Sequence, residues 1–125
     1  HNVQDSNMIN RDINNIIIQS RIYNSLYDIT SGMLSDRIFY AHIVEGPANF
    51  VKQLYSNIAH DMRHTNILVL QYAVINVRLF YLWPMVYVEI DEIPYIEKLD
   101  VQSTPAALRK ARISILKSFR PIFLR

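Results

Sequence analysis

Apolar residues recur at helical spacing in three parts of the chain, and each recurrence predicts an amphipathic helix. The three stripes are Ile9, Ile13, Ile16, Ile17 and Ser20; Phe50, Val51, Leu54, Tyr55 and Ile58; and Leu108, Ala111, Ile115 and Phe119. Pro47 is expected at the first position of the second helix, which should end near residues 61–64. Thr104 and Pro105 are expected to start the third helix, and Pro121 to end it.

Apolar runs between these helices predict strands. Residues 28–34 and 38–44, joined by a short polar link, predict a hairpin, whereas residues 67–77 predict a buried strand and residues 85–90 a last one. One more strand before the first helix would complete a βαββαβ, ferredoxin-like sheet. We therefore predict an α+β fold with two helices on one face of the sheet, the first strand missing from this chain, and a C-terminal helix.

Composition narrows the classes of function. The 125 residues suit one core, half of them are hydrophobic, and no apolar run approaches the roughly 20 residues that span a bilayer. The absence of cysteine excludes disulfides and thiolate chemistry, so we expect an intracellular domain. His60 and His64 have a spacing that can bind metal on a helix, but the one nearby acid, Asp61, is expected to point elsewhere, so a surface or helix-end role is favoured. The chain has only two glycines, too few for a phosphate-binding glycine loop, and it has no paired-carboxylate motif. We therefore expect that it is not an enzyme.

Charge is distributed unevenly along the chain. Residues 1–100 contain seven Lys or Arg and eleven Asp or Glu, whereas residues 101–125 contain six Lys or Arg and no acid. The basic C-terminal helix either covers the sheet with a solvated cationic side, docks on an acidic partner protein, or touches an anionic membrane or nucleic acid. Without interleaved aromatic residues the nucleic-acid signal is weak, and we favour the first of these interpretations. For the domain as a whole we expect a protein partner or a homo-oligomer, and the basic helix is a candidate contact for an acidic partner.

Four motifs in order resemble the BLUF family, the flavin modules of blue-light sensing. They are Asn24-x5-Thr30 with Gly32; Phe39-Tyr40-Ala41-His42-Ile43-Val44-Glu45-Gly46-Pro47; Asp61-Met62-Arg63-His64; and Arg78-x-Phe80-x2-Trp83-x-Met85. They align without gaps over roughly residues 1–88. We accordingly expect a BLUF-like domain over residues 1–92 and a C-terminal loop and basic helix over residues 93–125.

The resemblance implies a flavin, FAD or FMN, between the two helices against the sheet. It places five residues around the flavin and two in signalling. The cofactor-binding candidates are Asn24, His42, Asp61, Arg63 and His64, and the signalling candidates are Trp83 and Met85. Each has a simpler alternative: Asn24 as a helix C-cap, Arg63 and His64 as cations at a helix end, and the signalling pair as core packing. Glu45 and Gly46 are expected to be structural.

The chain also departs from the family pattern. His42 stands where the family has Gln, and an imidazole cannot perform the amide rearrangement of the photocycle. The family's first-strand Tyr would precede His1, and Ser31 stands where a Gly is usual. Two hypotheses follow: a flavin-binding sensory or regulatory domain with altered photochemistry, or a BLUF-like scaffold that has lost flavin and acts as a structural or protein-interaction subunit.

Overall fold

The computed structural model describes residues 6–60, 68–96, 99–100 and 102–120. Three helices and three strands follow one another along these ranges. In chain order they are α1 (Ser6–Leu26), β1 (Thr30–Ser35), β2 (Tyr40–Glu45), α2 (Ala48–Ala59), β3 (Val86–Glu89) and α3 (Pro105–Ser118). The described residues begin with α1, so the expectation of a missing first strand stays a prediction. The predicted α+β architecture is therefore confirmed, and the sheet of the described residues has three strands.

The sheet has the order β2-β1-β3. β1 and β2 form the predicted antiparallel hairpin, with Thr30 opposite Glu45 and Ser35 opposite Tyr40. β3 runs parallel to β1 on its other edge, with Gly32 opposite Val86. Both edges of β1 are therefore paired, which makes it the central strand.

The hairpin turn is held by the carboxylate of Asp36. Its Oδ1 accepts from the backbone N–H groups of Ile38 and Phe39 at 2.9 and 2.7 Å, and its Oδ2 accepts from Ile93 at 3.0 Å. Burial alone would raise the pKa of this carboxyl, but the backbone donors outweigh burial and hold the pKa of Asp36 below its ordinary value. The same side chain thus fixes the turn and anchors the loop that follows β3.

Two hydrophobic clusters lie on opposite faces of the sheet. Met33 packs with Met85 under α1, where Ile13 and Ile17 are also buried. The next residue, Leu34, belongs to the other cluster, because successive side chains of a strand point to opposite faces. That second cluster consists of Leu34, Ala41, Phe80, Ile93, Ile115 and Phe119.

The C-terminal helix packs on the second face. Thr104 caps it by accepting from Ala107 N at 3.2 Å, and Pro105 stands at its start, as predicted. Of the predicted stripe, Ala111, Ile115 and Phe119 are buried and Leu108 is half-buried. The domain boundary expected between residues 92 and 93 stays a prediction.

On this face of the sheet, Gly32 leaves space for two aromatic rings because it has no side chain. A Cβ at Gly32 would collide with the ring of Phe80 and lie 3.1 Å from Phe119 Cε1. The two rings meet edge to face with their centroids 5.2 Å apart, an arrangement that favours the aromatic quadrupoles. Gly32 therefore lets a loop residue and a residue at the end of α3 stack directly on the central strand.

The prediction of a buried strand over residues 67–77 is wrong for its described part. Residues 68–77 form no strand, and most of their side chains are exposed, with Val74 96% exposed. A strand needs a neighbour for its backbone groups, and these residues pair with none of the three described strands: β1 is paired on both edges, and the outer edges of β2 and β3 pair with no described strand. Leu70 alone of this segment packs against the second cluster, and its carbonyl accepts from Arg112 Nη1 at 3.2 Å.

The second helix also differs from its prediction. Pro47 is the N-cap residue and not the first helical one, and α2 ends at Ala59, before the expected 61–64. Only Leu54 of the predicted stripe is buried, and Tyr55 is exposed. α2 contacts the residue that follows α1: the ring centroids of Tyr27 and Phe50 are 5.0 Å apart.

Candidate functional site

Asn24 lies near the C-terminal end of α1 and is fully buried. Its backbone carbonyl accepts from Ile29 N at 2.9 Å, which closes the helix end. Its side-chain Nδ2 donates to the Ser31 hydroxyl at 2.9 Å and to the Pro84 carbonyl at 2.6 Å. Within the described residues its Oδ1 is buried without a hydrogen-bond partner. A buried acceptor of this kind fits a ligand that brings an N–H group, as the imide edge of a flavin does.

Ser31 completes this arrangement, although the sequence marked it only as a departure from the family pattern. It is fully buried in β1, and its hydroxyl donates to the Pro84 carbonyl at 2.8 Å. Its backbone N–H donates to the Trp83 carbonyl at 3.2 Å. A serine buried in a central strand needs hydrogen-bond partners. Its position within an apolar predicted strand could therefore have marked Ser31 as part of a polar network.

His42 shares a sheet face with this network. It lies on β2 directly opposite Met33, and residues opposite each other in an antiparallel pair point to the same side. Met33 packs under α1, and Ser31, two residues earlier, points to the same face. The structure therefore brings three sequence-predicted residues to the α1 side of the sheet: Asn24, His42 and Met85.

Trp83 does not join them. Met85 is 2% exposed and packs in the α1-side cluster, whereas Trp83 is half-buried against the cluster on the α3 side. In a regular strand two residues of this spacing would share a face, but β3 begins only at Val86 and Pro84 lies between them. The predicted signalling pair is thus divided between the two faces.

The other three predicted flavin residues, Asp61, Arg63 and His64, lie outside the described residues. Their neighbour His60 is exposed, and its Nδ1 lies 2.7 Å from the carbonyl of Ser56. Across the described part of the chain no three His, Asp or Glu side chains come together as metal ligands would.

Glu45 has a structural function, as expected, and it is exerted on a distant loop. Its buried carboxylate accepts from Leu79 N at 2.7 Å, from Phe80 N at 2.9 Å and from the Thr30 hydroxyl at 3.1 Å. It therefore holds the loop before Trp83 against the end of the hairpin. No local sequence pattern predicts this contact, because 34 positions separate Glu45 from Leu79.

Three aromatic rings line the junction of α1 and α2. The ring centroids of Tyr23 and Tyr27 are 4.5 Å apart, and Tyr27 reaches Phe50 in turn. Burial, and after it the proximity of Tyr27, raises the pKa of Tyr23 above its ordinary value. The Tyr23 phenol is therefore a neutral donor at neutral pH beside the helix end that carries Asn24.

Residues 2–86 match the family model described as sensors of blue light using FAD. The chain belongs to the BLUF family. The match confirms the resemblance carried by the four motifs, and FAD, the cofactor in the family's description, agrees with the expected flavin. No curated protein matches the sequence.

Two solved structures of bacterial light-regulated adenylyl cyclases resemble this BLUF chain. One is 26% identical with a TM-score of 0.59, and the other is 27% identical with a TM-score of 0.58. Each comparison covers 90% of this chain but only 31% and 32% of the cyclase chains. The BLUF chain thus spans about a third of the length of these proteins. None of its described helices has the length and apolarity to cross a membrane.

Proposed function

We propose that this BLUF chain binds FAD on the α1 side of its sheet and works as a sensory or regulatory domain. The observation that carries the proposal is Asn24 Oδ1, a buried acceptor at the position where the family resemblance expects a flavin ligand. An isoalloxazine ring supplies the matching N–H donor, and when bound it also supplies the light-absorbing chromophore. His42, on the same face, would contact the ring as an imidazole in place of the family's amide.

The remaining ligand roles extend the proposal along the chain. Arg63 and His64 would bind the ribityl-phosphate side of FAD, because a guanidinium suits phosphate oxygens, and Asp61 would support them. Met85, which packs beside Met33 and Ser31, would respond to changes in hydrogen bonding around the flavin ring. Trp83, on the other face of the sheet, would transmit these structural changes to the side on which α3 packs.

His42 leads us to propose altered photochemistry. An imidazole can donate and accept hydrogen bonds, but it has no amide group to rotate. Under blue light we expect no reversible red shift of the flavin absorption band of the kind the family resemblance implies. Such a shift in the FAD-loaded wild-type chain would contradict this part of the proposal.

We further propose that the domain acts on a partner protein or on further protein segments. The similarity to about a third of two light-regulated cyclases supports a regulatory module. The exposed cations of α3 would face an acidic surface. They are Arg109, Lys110 and Lys117, and Arg120 follows just after the helix.

A flavin-free interaction scaffold is the alternative function, and one observation favours it. Residues 69–82 expose many large apolar side chains, with Val74 and Val77 more than three quarters exposed, and apolar patches often mark protein interfaces. In this case His42 and Ser31 would be signs of a lost cofactor site.

An absorption spectrum separates the two functions. The purified chain, mixed with FAD and freed of excess by gel filtration, is expected to keep the absorption band of oxidised flavin. Asn24→Ala should lower the affinity for FAD by about tenfold, since it removes one hydrogen-bond partner. Tyr55→Ala on the exposed face of α2 serves as the matched control and should bind normally. A wild-type protein that stays colourless would refute flavin binding and favour the scaffold.

A further inference from the structure

One side of α3 carries both cations and apolar side chains. Arg109, Ile113, Leu116 and Lys117 are exposed, and their spacing places them within about a third of the helix circumference. Arg120 follows just after the helix and is exposed as well. Ile113 and Leu116 are 42% and 39% exposed, although the opposite side of the same helix packs on the second cluster. We call these five residues the cationic stripe of α3.

The charge of the cationic stripe is not compensated within the described part of the chain. Among the described residues no carboxylate pairs with Arg109, Lys117 or Arg120, and residues 101–125 contain no acid at all. Lys110 differs from them, because it lines a groove together with Glu92 and its ammonium lies 5.5 Å from the centroid of the Tyr95 ring. The stripe without this lysine therefore complements an anionic surface.

An exposed apolar segment lies beside α3. The segment comprises residues 68–77, and its Leu70 carbonyl accepts from Nη1 of Arg112 on α3 at 3.2 Å. Farther along the segment, Val74 and Val77 are 96% and 77% exposed. Apolar side chains exposed next to one another mark a surface that meets another protein or a membrane. The helix and the segment thus offer cations and apolar groups side by side.

We propose that the cationic stripe and residues 68–77 form a docking surface for an anionic lipid membrane. The cations bind the anionic head groups, and the exposed apolar side chains enter the boundary between head groups and acyl chains. The backbone of residues 68–77 stays in the polar head-group layer, where its N–H and C=O groups remain hydrated. This inference goes beyond the proposed flavin binding, does not depend on it, and names the acidic surface opposite α3.

Two features favour a lipid surface over another protein chain. A protein partner needs a fixed complementary shape, whereas residues 68–77 form neither helix nor strand, and a fluid head-group layer accepts apolar side chains in any arrangement. A second copy of this chain is disfavoured by charge. In a two-fold contact between the stripes, Arg109 and Lys117 of one copy would lie close to the same cations of the other.

The test is co-sedimentation of the 125-residue chain with lipid vesicles. Vesicles of phosphatidylcholine with about 30% phosphatidylserine should bind the chain at least about tenfold more tightly than phosphatidylcholine alone, because each cation near an anionic surface raises the affinity about fivefold. Added salt should weaken this binding, since it screens the charges. Equal binding to the two kinds of vesicle, or binding to neither, would overturn the proposal.

Two matched charge reversals locate the binding surface. Lys117→Glu removes a cation of the stripe and adds a charge that the lipid repels, so the affinity for anionic vesicles should fall at least about tenfold. Lys52 is exposed on α2, and Lys52→Glu makes the same change of net charge outside the surface. It should alter the affinity by less than about threefold, because charges beyond a Debye length are screened. Equal losses in the two variants would show that net charge alone binds the vesicles, and would overturn the docking surface.

Val74→Trp distinguishes a lipid surface from an acidic protein partner. Val74 is 96% exposed, so an indole fits there without repacking, and indoles favour the membrane interface. After subtraction of the wild-type Trp83 signal, the emission should shift to shorter wavelength on anionic vesicles and stay unshifted with polyglutamate. Vesicle binding without this shift, or polyglutamate binding as tight as vesicle binding, would overturn the lipid surface and favour an acidic protein. None of these measurements uses flavin, so their failure would leave the proposed flavin binding standing.

Discussion

Removing the Glu45 carboxylate should detach the loop before Trp83 from the hairpin. In Glu45→Ala the backbone N–H groups of Leu79 and Phe80, now 2.7 and 2.9 Å from carboxylate oxygens, lose their acceptor in a site where Glu45 itself is 5% exposed. A buried donor left without a partner costs about 1–3 kcal/mol. For two such donors we expect a loss of about 3 kcal/mol in the free energy of unfolding, or about 10 °C in Tm for a domain of this size.

Urea unfolding followed by the fluorescence of Trp83, the single tryptophan, measures this loss close to the affected loop. Glu45→Gln keeps one acceptor but turns an amino group toward a backbone donor, so about half the loss is expected. Glu89→Ala is the control, because Glu89 forms an ion pair with Arg37 in which both side chains are 39% or more exposed, and such pairs contribute below about 1 kcal/mol. A Glu45→Ala protein no less stable than Glu89→Ala would refute the reasoning.

Three further predictions follow from the packing and from the turn. Gly32→Ala drives a Cβ into the ring of Phe80 and should cost about 1–3 kcal/mol of unfolding free energy, measured in urea; an unchanged midpoint would contradict the close approach. Phe119→Ala should cost about 3–5 kcal/mol because Phe119 is fully buried, whereas Leu116→Ala, 39% exposed on the same helix, should cost far less; equal losses would show that α3 does not pack as described. Asp36 has a lowered pKa, so the stability it contributes is complete above its unfolded pKa of about 4 and is lost as the pH falls through the lower folded value. Asp36→Asn should therefore lose less stability than wild type between pH 7 and pH 3 in urea titrations, and parallel losses would rule out this acid as a contributor.

Much of the candidate site could be anticipated from the four motifs, because they align in register with a known family. Asn24, His42 and Met85 do lie on one face, as expected of residues around a common ligand. Ser31 and Glu45 could not be assigned in the same way. Their functions depend on partners that contribute backbone groups, Pro84 for one and Leu79 and Phe80 for the other, and backbone groups leave no trace in a sequence motif.

Secondary-structure elements that depend on neighbouring residues could be predicted from the sequence. The hairpin followed from two apolar runs around Asp36, and the buried side of α3 from the spacing of Ala111, Ile115 and Phe119, since turn chemistry and side-chain periodicity act within a few residues. Only the tertiary structure showed that residues 68–77 pair with no strand, because an apolar run does not specify a partner strand. It alone also joined Asn24 to Pro84, 60 positions away, and so decided which end of that amide faces the site.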